Sequence, residues 1–524
     1  MGNKIYIYDT TLRDGAQTEG VSYSLEDKIR IAKKLDQFHI DFIEGGWPSS
    51  NPKDKELFNY FKKRPLRYSQ LVAFGSTRRA HIKPYQDINL KGLVSSGTHY
   101  ITIFGKSWDL HVKEALRTSL EENLLMIRDS LKFLRKKHKK VFYDAEHFFD
   151  GYKNNPNYAL KTILVAQEEG AQAIILCDTN GGTLPQDVGK IIGEISKHIK
   201  IPLGIHAHND SGLALANSIT AVQEGCIQVQ GTINGLGERC GNADLCQVIG
   251  VLQVKMGKKC LEKRFLSRLY ELSHFIWEMS NLKPQDNQPF VGKSAFAHKG
   301  GVHINAVLKN PLTYEHIRPE WVGNKRRILL SELSGKTGVI NILRSINIQI
   351  EKTSPQARKL YRILQEREMG GYSFEVAEGS FKTLVARKLK KYRKFFELLG
   401  FRVIVEKREG RLIAEATVKL KIGNTQKLVA SEGDGPVNAL DSSLRKALEE
   451  IYPSLSQMHL VDFKVRVLDE RQGTAAKVRV LITSQDERDT WTTVGVSENI
   501  IEASWQALVD SIEYKLLKDA NLLE

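Results

Sequence analysis

Ile5-Tyr6-Ile7-Tyr8-Asp9-Thr10-Thr11-Leu12-Arg13-Asp14-Gly15 lies almost at the start of the chain and changes character halfway along. Ile5 to Tyr8 are β-branched or aromatic, which suits a buried strand. The polar, threonine-rich stretch that follows is closed by a glycine and reads as the loop at that strand's carboxyl end. Arg13 and Asp14 put a fixed cation beside a carboxylate able to bind metal. Taken alone, such neighbours are most often a solvated ion pair, so their meaning depends on what the rest of the chain brings to them.

Working outward, the same rhythm recurs. Apolar runs at Ile5–Tyr8, Phe42–Glu44, Tyr68–Ala73, Tyr100–Phe104, Val141–Tyr143, Ala173–Leu176, Leu203–Ile205 and Ile227–Gly231 alternate with helical patterns. In the segment Ser24–Phe38, Ser24 is a candidate N-cap, and Leu25, Ile29, Ala32 and Leu35 form one apolar stripe. Eight strand–helix units within the first half of the chain predict a parallel (β/α)8 TIM barrel. An open doubly wound sheet is the alternative, but no Gly-x-Gly-x-x-Gly follows the first strand.

A barrel of this kind places its reactive groups just after the strands. Arg13 and Asp14 follow the first, Glu44 ends the second and Glu146 follows the fifth. Asp178 and Thr179 follow the sixth, and Asn234 and Asn242 follow the eighth. The seventh leads into Ile205-His206-Ala207-His208-Asn209-Asp210. Alternate residues of a strand share a face, so His206 and His208 can converge on one ion while Ala207 turns away. Two imidazoles and the Asp14 carboxylate make a mixed nitrogen and oxygen site, which suits zinc, magnesium or manganese.

The bulk properties restrict the alternatives. The 524 residues are 41% hydrophobic and 26% charged, as in a globular protein of two or three domains. No uninterrupted apolar stretch approaches the roughly 20 residues that span a bilayer. The first strand begins too early to leave room for a signal peptide, so a cytoplasmic protein with no membrane association is expected. Five cysteines without a Cys-x-x-Cys pair argue against a disulfide framework. The net charge of +16 draws on basic runs at Arg135–Lys140 and Arg387–Lys394. The first ends a predicted helix, where cations are favoured, and the second reads as a solvated helix face. Without any zinc-finger, helix-turn-helix or stacking motif, a nucleic-acid-binding protein is the weak alternative.

Three domains are expected: a barrel over 1–270, linker subdomains over 271–371 and a C-terminal domain over 372–524. The linker carries His298-Lys299-Gly300-Gly301-Val302-His303-Ile304-Asn305, whose paired glycines suit close approach to a ligand. In the last domain, Thr417–Ile422 aligns with Lys477–Ile482 at an offset of 60 residues. Gly435 then falls on Gly495, and Ala447-Leu448 on Ala507-Leu508. An internal repeat of strands and a helix predicts a pseudo-symmetric α+β domain for binding or assembly.

Together these residues resemble the α-isopropylmalate/homocitrate/citramalate synthase family along the full length. Asp9–Gly15 is similar to its first signature and His206–Asn217 to its second, while Gly237–Asn242 resembles the loop that supplies an asparagine ligand. Gly371–Phe381 and Ala430–Asn438 look like motifs of its regulatory region. Ala16-Gln17-Thr18-Glu19 and Glu44-Gly45-Gly46-Trp47-Pro48 are similar to the citramalate-forming branch, which joins pyruvate to acetyl-CoA in isoleucine biosynthesis. An isopropylmalate or homocitrate synthase is the nearest alternative, and a lyase running the reverse type of reaction is a further one.

The resemblance implies a metal-dependent Claisen condensation followed by thioester hydrolysis. It implies a divalent ion on Asp14, His206, His208 and Asn242, with Arg13 stabilising charge on the keto acid. It gives Thr179 and Gln17 contacts to that acid, and His303 the role of base, helped by Glu146 and Tyr314. The histidine would come from the linker of a second protomer, which implies an interlocked homodimer, and the C-terminal domain would bind isoleucine as inhibitor. Phe74, Phe104 and Tyr143 are the expected determinants of the acceptor.

Overall fold

In the computed structural model, residues 4–329, 339–340, 343, 350–351, 354–389, 392, 394–468 and 476–523 are described. They form two compact units, Met1–Phe296 with Ile317–Arg326, and Ala297–His316 with Arg327–Glu524.

The first unit is a closed parallel barrel of eight strands in sequential order. These are β1 (Tyr6–Asp9), β2 (Phe42–Gly46), β3 (Gln70–Ser76), β4 (Tyr100–Lys106), β5 (Lys140–Glu146), β6 (Ala173–Asp178), β7 (Leu203–Ala207) and β8 (Gln228–Gly231). β8 closes on β1 through Tyr6↔Gln228 to Asp9↔Gly231. Every expected strand is present, and several run further at the carboxyl end than their apolar cores. β5 continues through Asp144-Ala145-Glu146 because its backbone keeps pairing with β4, up to Lys106↔Glu146. Backbone pairing does not require apolar side chains.

The alternation of side chains divides the barrel into two layers. Tyr8, Phe42, Val72, Phe142, Ile175 and Cys177 fill the interior. Ile7, Ile43, Ile101, Val141, Ile174 and Val229 face outward into the main core shared with the helices. The helix Leu25–Gln37 shows how local sequence sets this packing. Ser24 Oγ accepts from Asp27 N at 3.1 Å while Asp27 Oδ2 accepts from Ser24 N at 2.9 Å, a reciprocal cap. Ile29, Ala32 and Leu35 are buried on its inner face.

The second unit contains β9 (Ala297–His298) paired with β10 (Arg327–Ile328), and helices Gly301–Lys309, Pro355–Met369 and Glu378–Leu389. Two three-stranded antiparallel sheets follow. One is β11 (Glu397–Arg408), β12 (Arg411–Ile422) and β13 (Thr425–Gly433), packed on the helix Pro436–Leu448. The other is β14 (His459–Val467), β15 (Val478–Gln485) and β16 (Thr490–Ser497), packed on the helix Ile500–Asp519. The duplication is real, but its spacing is not constant. β15 runs on to Gln485, three residues past the match to the end of β12, and the second hairpin turns in four residues (486–489) where the first takes two (423–424). With β16 one residue shorter than β13, the helices start 64 residues apart, at Pro436 and Ile500. Gly435 therefore caps a helix, whereas Gly495 lies within β16.

The basic run at 387–394 departs from a solvated helix face. Lys390, Lys391 and Arg393 lie outside the described residues, but Arg387 points inward. It meets Asp510 Oδ1 at 2.9 Å and Glu513 Oε2 at 2.7 Å. Ser380 Oγ donates to Asp510 at 2.6 Å and Tyr392 OH to Glu513 at 2.8 Å. Burial raises both carboxyls in spite of the guanidinium. Replacing Arg387 with methionine leaves two buried acids unpaired and should cost on the order of 3–5 kcal/mol. Both carboxyls then bind protons more tightly in the folded than in the unfolded chain, so the loss should be larger at pH 8 than at pH 5. Urea denaturation of the full chain at both values checks this, and equal losses would contradict it.

Candidate active site and metal centre

The loop after β1 is built by its own polar residues. Asp9 is fully buried and accepts from Thr11 N at 3.0 Å and Thr11 Oγ1 at 2.8 Å. Burial pushes its carboxyl up to about 7 against those bonds. Thr10 O accepts from the backbone N–H groups of Arg13 and Gly15, each at 3.1 Å. The turn so formed delivers Arg13 and Asp14 to the carboxyl ends of the strands.

There Asp14 meets the end of β7. Asp14 Oδ2 lies 3.4 Å from His206 Nε2 and 3.9 Å from His208 Nε2, and the two imidazole nitrogens are 3.3 Å apart. One ligand atom from each of the three residues falls within 4.8 Å of the others, and all three residues are buried. Asn242 is brought alongside by an antiparallel bridge to His208. Its Oδ1, like Asp14 Oδ2 and His208 Nδ1, is buried without a hydrogen-bond partner. Orphaned buried acceptors are costly, and Asp14 Oδ2, facing two imidazole nitrogens, fits a divalent cation.

The surrounding shell orients these groups. Gln230 Oε1 lies 3.1 Å from His206 Nδ1, and Gln230 Nε2 donates to Asp144 Oδ1 at 3.2 Å. The amide thus presents its oxygen to Nδ1–H, which leaves the Nε2 lone pair directed at Asp14 and His208. Burial alone would raise the Asp14 carboxyl, but Arg13 and both imidazoles hold it well below the usual range. His208 is pushed down to about 3 by burial and by His206. Burial lowers His206, but contact with Asp14 and the nearby Asp144 carboxylate raise it, and the net shift is upward.

Arg13 is fixed on two sides. Its Nε donates to Glu44 Oε1 at 2.6 Å and its guanidinium carbon sits 3.9 Å from the centre of the Phe74 ring. Nη1 lies 3.5 Å from Asp14 Oδ2. Glu44 is itself held by Tyr8 OH at 2.6 Å, which shares a 2.7 Å bond with Thr102 Oγ1. Phe74 and Phe104 stack at 5.4 Å, and Trp47 packs edge-on against both.

Other expected positions divide. Glu146, the last residue of β5, ion-pairs with Lys106, the last of β4, at the strands' carboxyl ends. Thr179 Oγ1 accepts from His147 N at 2.9 Å, and Gln17 is exposed on the turn after Asp14. His303 and Tyr314 belong to the second unit, where their rings stack with centres 4.1 Å apart. Tyr143 faces outward into the core beneath the helices, because its neighbour Asp144 takes the inward position. Asp178 is consumed by Thr183 and Asn217, and Asn234 by Ser273 and Gln288, so both are structural. Asp144, Gln230 and Tyr8 went unremarked at the level of sequence. The available signal was a polar or hydroxyl side chain at alternate positions of strands whose other residues are apolar.

Fold and site together define a (β/α)8 barrel with two histidines and a carboxylate, a group able to hold a metal ion, gathered at the strands' carboxyl ends. Residues 4–276 match the HMGL-like family, 290–367 the homocitrate synthase post-HMGL domain-like family and 375–516 the LeuA allosteric (dimerisation) domain. The chain is 54% identical to an (R)-citramalate synthase of Geobacter sulfurreducens, over 99% of this chain and 98% of that protein. It is 52% identical to one from Aquifex aeolicus, covering 99% of each. Identity to a 2-isopropylmalate synthase of Methanocaldococcus jannaschii is 33%, over 98% of this chain and 95% of the relative. The chain belongs to the α-isopropylmalate/homocitrate/citramalate synthase family.

Exchanging Gln230 for leucine removes the bond that orients His206. Divalent-ion affinity should fall about 10- to 100-fold, measured by calorimetry on metal-stripped protein. An unchanged affinity would mean that His206 needs no outside orientation.

Proposed function

We propose that this chain condenses acetyl-CoA with pyruvate and hydrolyses the resulting thioester, releasing (R)-citramalate and CoA for isoleucine biosynthesis. The carrying observation is near full-length identity of 44–54% to five (R)-citramalate synthases, against 33% to a 2-isopropylmalate synthase. Residues 1–270 are read as the catalytic barrel, 271–371 as the linker and 372–524 as the regulatory and dimerisation domain of a cytoplasmic enzyme.

Asp14, His206, His208 and Asn242 are assigned as ligands of a divalent zinc, magnesium or manganese ion. Such an ion supplies Lewis acidity toward the oxygens of a 2-oxo acid. Arg13, held by Glu44 and Phe74, offers its outer N–H groups to the ketone oxygen as negative charge builds there during carbon–carbon bond formation. The Thr179 hydroxyl accepts from backbone, so its own proton remains free for the substrate carboxylate, and Gln17 approaches from the adjoining turn. The aromatic wall of Phe74, Phe104 and Trp47 bounds the space beside the acceptor's methyl group.

A ring nitrogen of His303 takes a proton from the methyl of acetyl-CoA. Tyr314, stacked on it, holds the ring plane, and Glu146 stabilises the imidazolium. Water then adds to the thioester carbonyl and the CoA thiolate leaves, which makes the sequence irreversible. His303 is read as serving the barrel of a second protomer in an interlocked homodimer. The match to a dimerisation domain supports this reading. So does the edge strand β14, which exposes Val461, Phe463, Val465 and Val467 along one face. The allosteric description of the same domain supports isoleucine as effector.

CoA release from acetyl-CoA should be fastest with pyruvate, slower with 3-methyl-2-oxobutanoate or 2-oxoglutarate, abolished by thorough metal removal and inhibited by isoleucine. Activity confined to the branched acid would sink this reading in favour of the isopropylmalate reaction. Arg13→Leu should lower kcat by about 10²- to 10³-fold. His303→Ala should abolish proton exchange from the acetyl methyl, read by deuterium incorporation, and retained exchange would remove it as the base.

A further inference from the structure

A cavity of about 920 Å³ opens at the opposite end of the barrel from the metal centre. Its floor is made by the first residue of each of four successive strands: Tyr6, Phe42, Gln70 and Tyr100. Branched aliphatic residues usually plug a barrel interior. Here the rings form a continuous surface instead, with Tyr6–Phe42 centres 6.1 Å apart and Phe42–Tyr100 centres 5.2 Å apart. Tyr68 adds a side wall; His39 stacks on its ring with centres 3.7 Å apart, and Tyr68 and Tyr6 remain 46% and 39% exposed. The Gln70 amide lies exposed among them and has no partner among the described residues.

The rim is cationic. Lys258, Lys259 and Lys263 border the cavity, and none of their ammonium groups has an ion pair or hydrogen bond among the described residues. The acids nearby are already engaged. Asp41 pairs with Lys4 at 2.8 Å and accepts from Ile7 N at 2.9 Å. Glu262 meets His39 at 3.0 Å and Arg264 at 2.9 Å. The cavity therefore combines partly exposed aromatic rings, an exposed amide and three lysines whose ammonium groups have no partner among the described residues, at a size suited to a small organic ligand.

We propose that this cavity binds a nucleoside phosphate. The base stacks on the exposed sides of Tyr6 and Tyr68 with its edge toward Gln70, and the phosphates lie against Lys258, Lys259 and Lys263. This site is separate from the condensation centre and independent of which keto acid is used there.

The test is calorimetric titration of the full-length, metal-loaded protein with ADP in excess magnesium, repeated with pyrophosphate, with acetyl-CoA present, and with the variants Lys259→Glu/Lys263→Glu and Tyr68→Ala. Both lysines are exposed, and none of the three residues belongs to the catalytic site. Saturable binding of one ADP per chain is expected, weakened at least tenfold by either variant and by raised salt, with the KM for acetyl-CoA unchanged. Any one of four results overturns the proposal. These are no saturable binding, pyrophosphate binding as tight as ADP, displacement of ADP by acetyl-CoA, and affinity unaltered in both variants. The second would leave a simple anion site, and the third would place the nucleotide where the substrate's own adenosine phosphate sits.

Discussion

One buried chain of polar contacts ties the catalytic end of the barrel together. It runs from Thr102 through Tyr8 to Glu44, then to Arg13, Asp14, His206, Gln230 and Asp144, with successive separations between 2.6 and 3.5 Å. Those residues come from β4, β1, β2, the loop after β1, β7, β8 and β5, so the network spans most of the barrel circumference. Each buried charge in it would be strongly unfavourable alone. Its members are tolerable only together, and that requirement fixes where the loop after β1 must go.

The network also explains why the centre suits a cation. Three carboxyl groups, those of Asp14, Glu44 and Asp144, face one guanidinium within it. Burial, reinforced by the carboxylate of Glu44, pushes Asp144 up to about 7, although His206 and Arg13 oppose the shift. Asp14 moves the other way because Arg13 and the imidazoles lie beside it. Neighbouring acids are thus driven apart, and the one next to the two histidines stays ready to bind metal.

Much of this was legible in the sequence, and the gaps have a physical cause. Runs such as Ile174-Ile175-Leu176 announce a strand buried on both faces, and eight of them predict the barrel. The same two-sided burial hides which face is inside. At Tyr143-Asp144 hydrophobicity favours the tyrosine for the pocket, yet the aspartate faces inward and Tyr143 packs under the helices. Phe74 and Phe104 carried no such competing neighbour and do line the mouth. Polar strand ends such as Asp144-Ala145-Glu146 look like loop until their backbone pairing is known. The residues after the strands could be named, but not sorted. Asp178 and Asn234 turn out to hold loops in place, as only their hydrogen bonds reveal.

The barrel's polarity arranges part of the chain's charge. In a (β/α)8 barrel every helix begins at the catalytic end and finishes at the other, so the helix dipoles add in parallel. Side chains follow that field. Helices open with Glu26 and Asp27, with Asp54, with Glu121 and Glu122, and with Asp187. They close with Lys34, with Lys62 and Lys63, and with Arg135 and Lys136. Acids at the mouth offset the positive helix starts without cancelling the inward-facing Arg13, which keeps its position because Glu44 lies inside the barrel instead of on a helix. Bases at the far end go beyond what dipoles require, since Lys258, Lys259 and Lys263 add to helix ends that already carry cations. Stability of individual helices gains little from that excess, because dipole effects fade within the last turn. It gathers lysines around the open base of the barrel, where they draw anions toward that end of the unit.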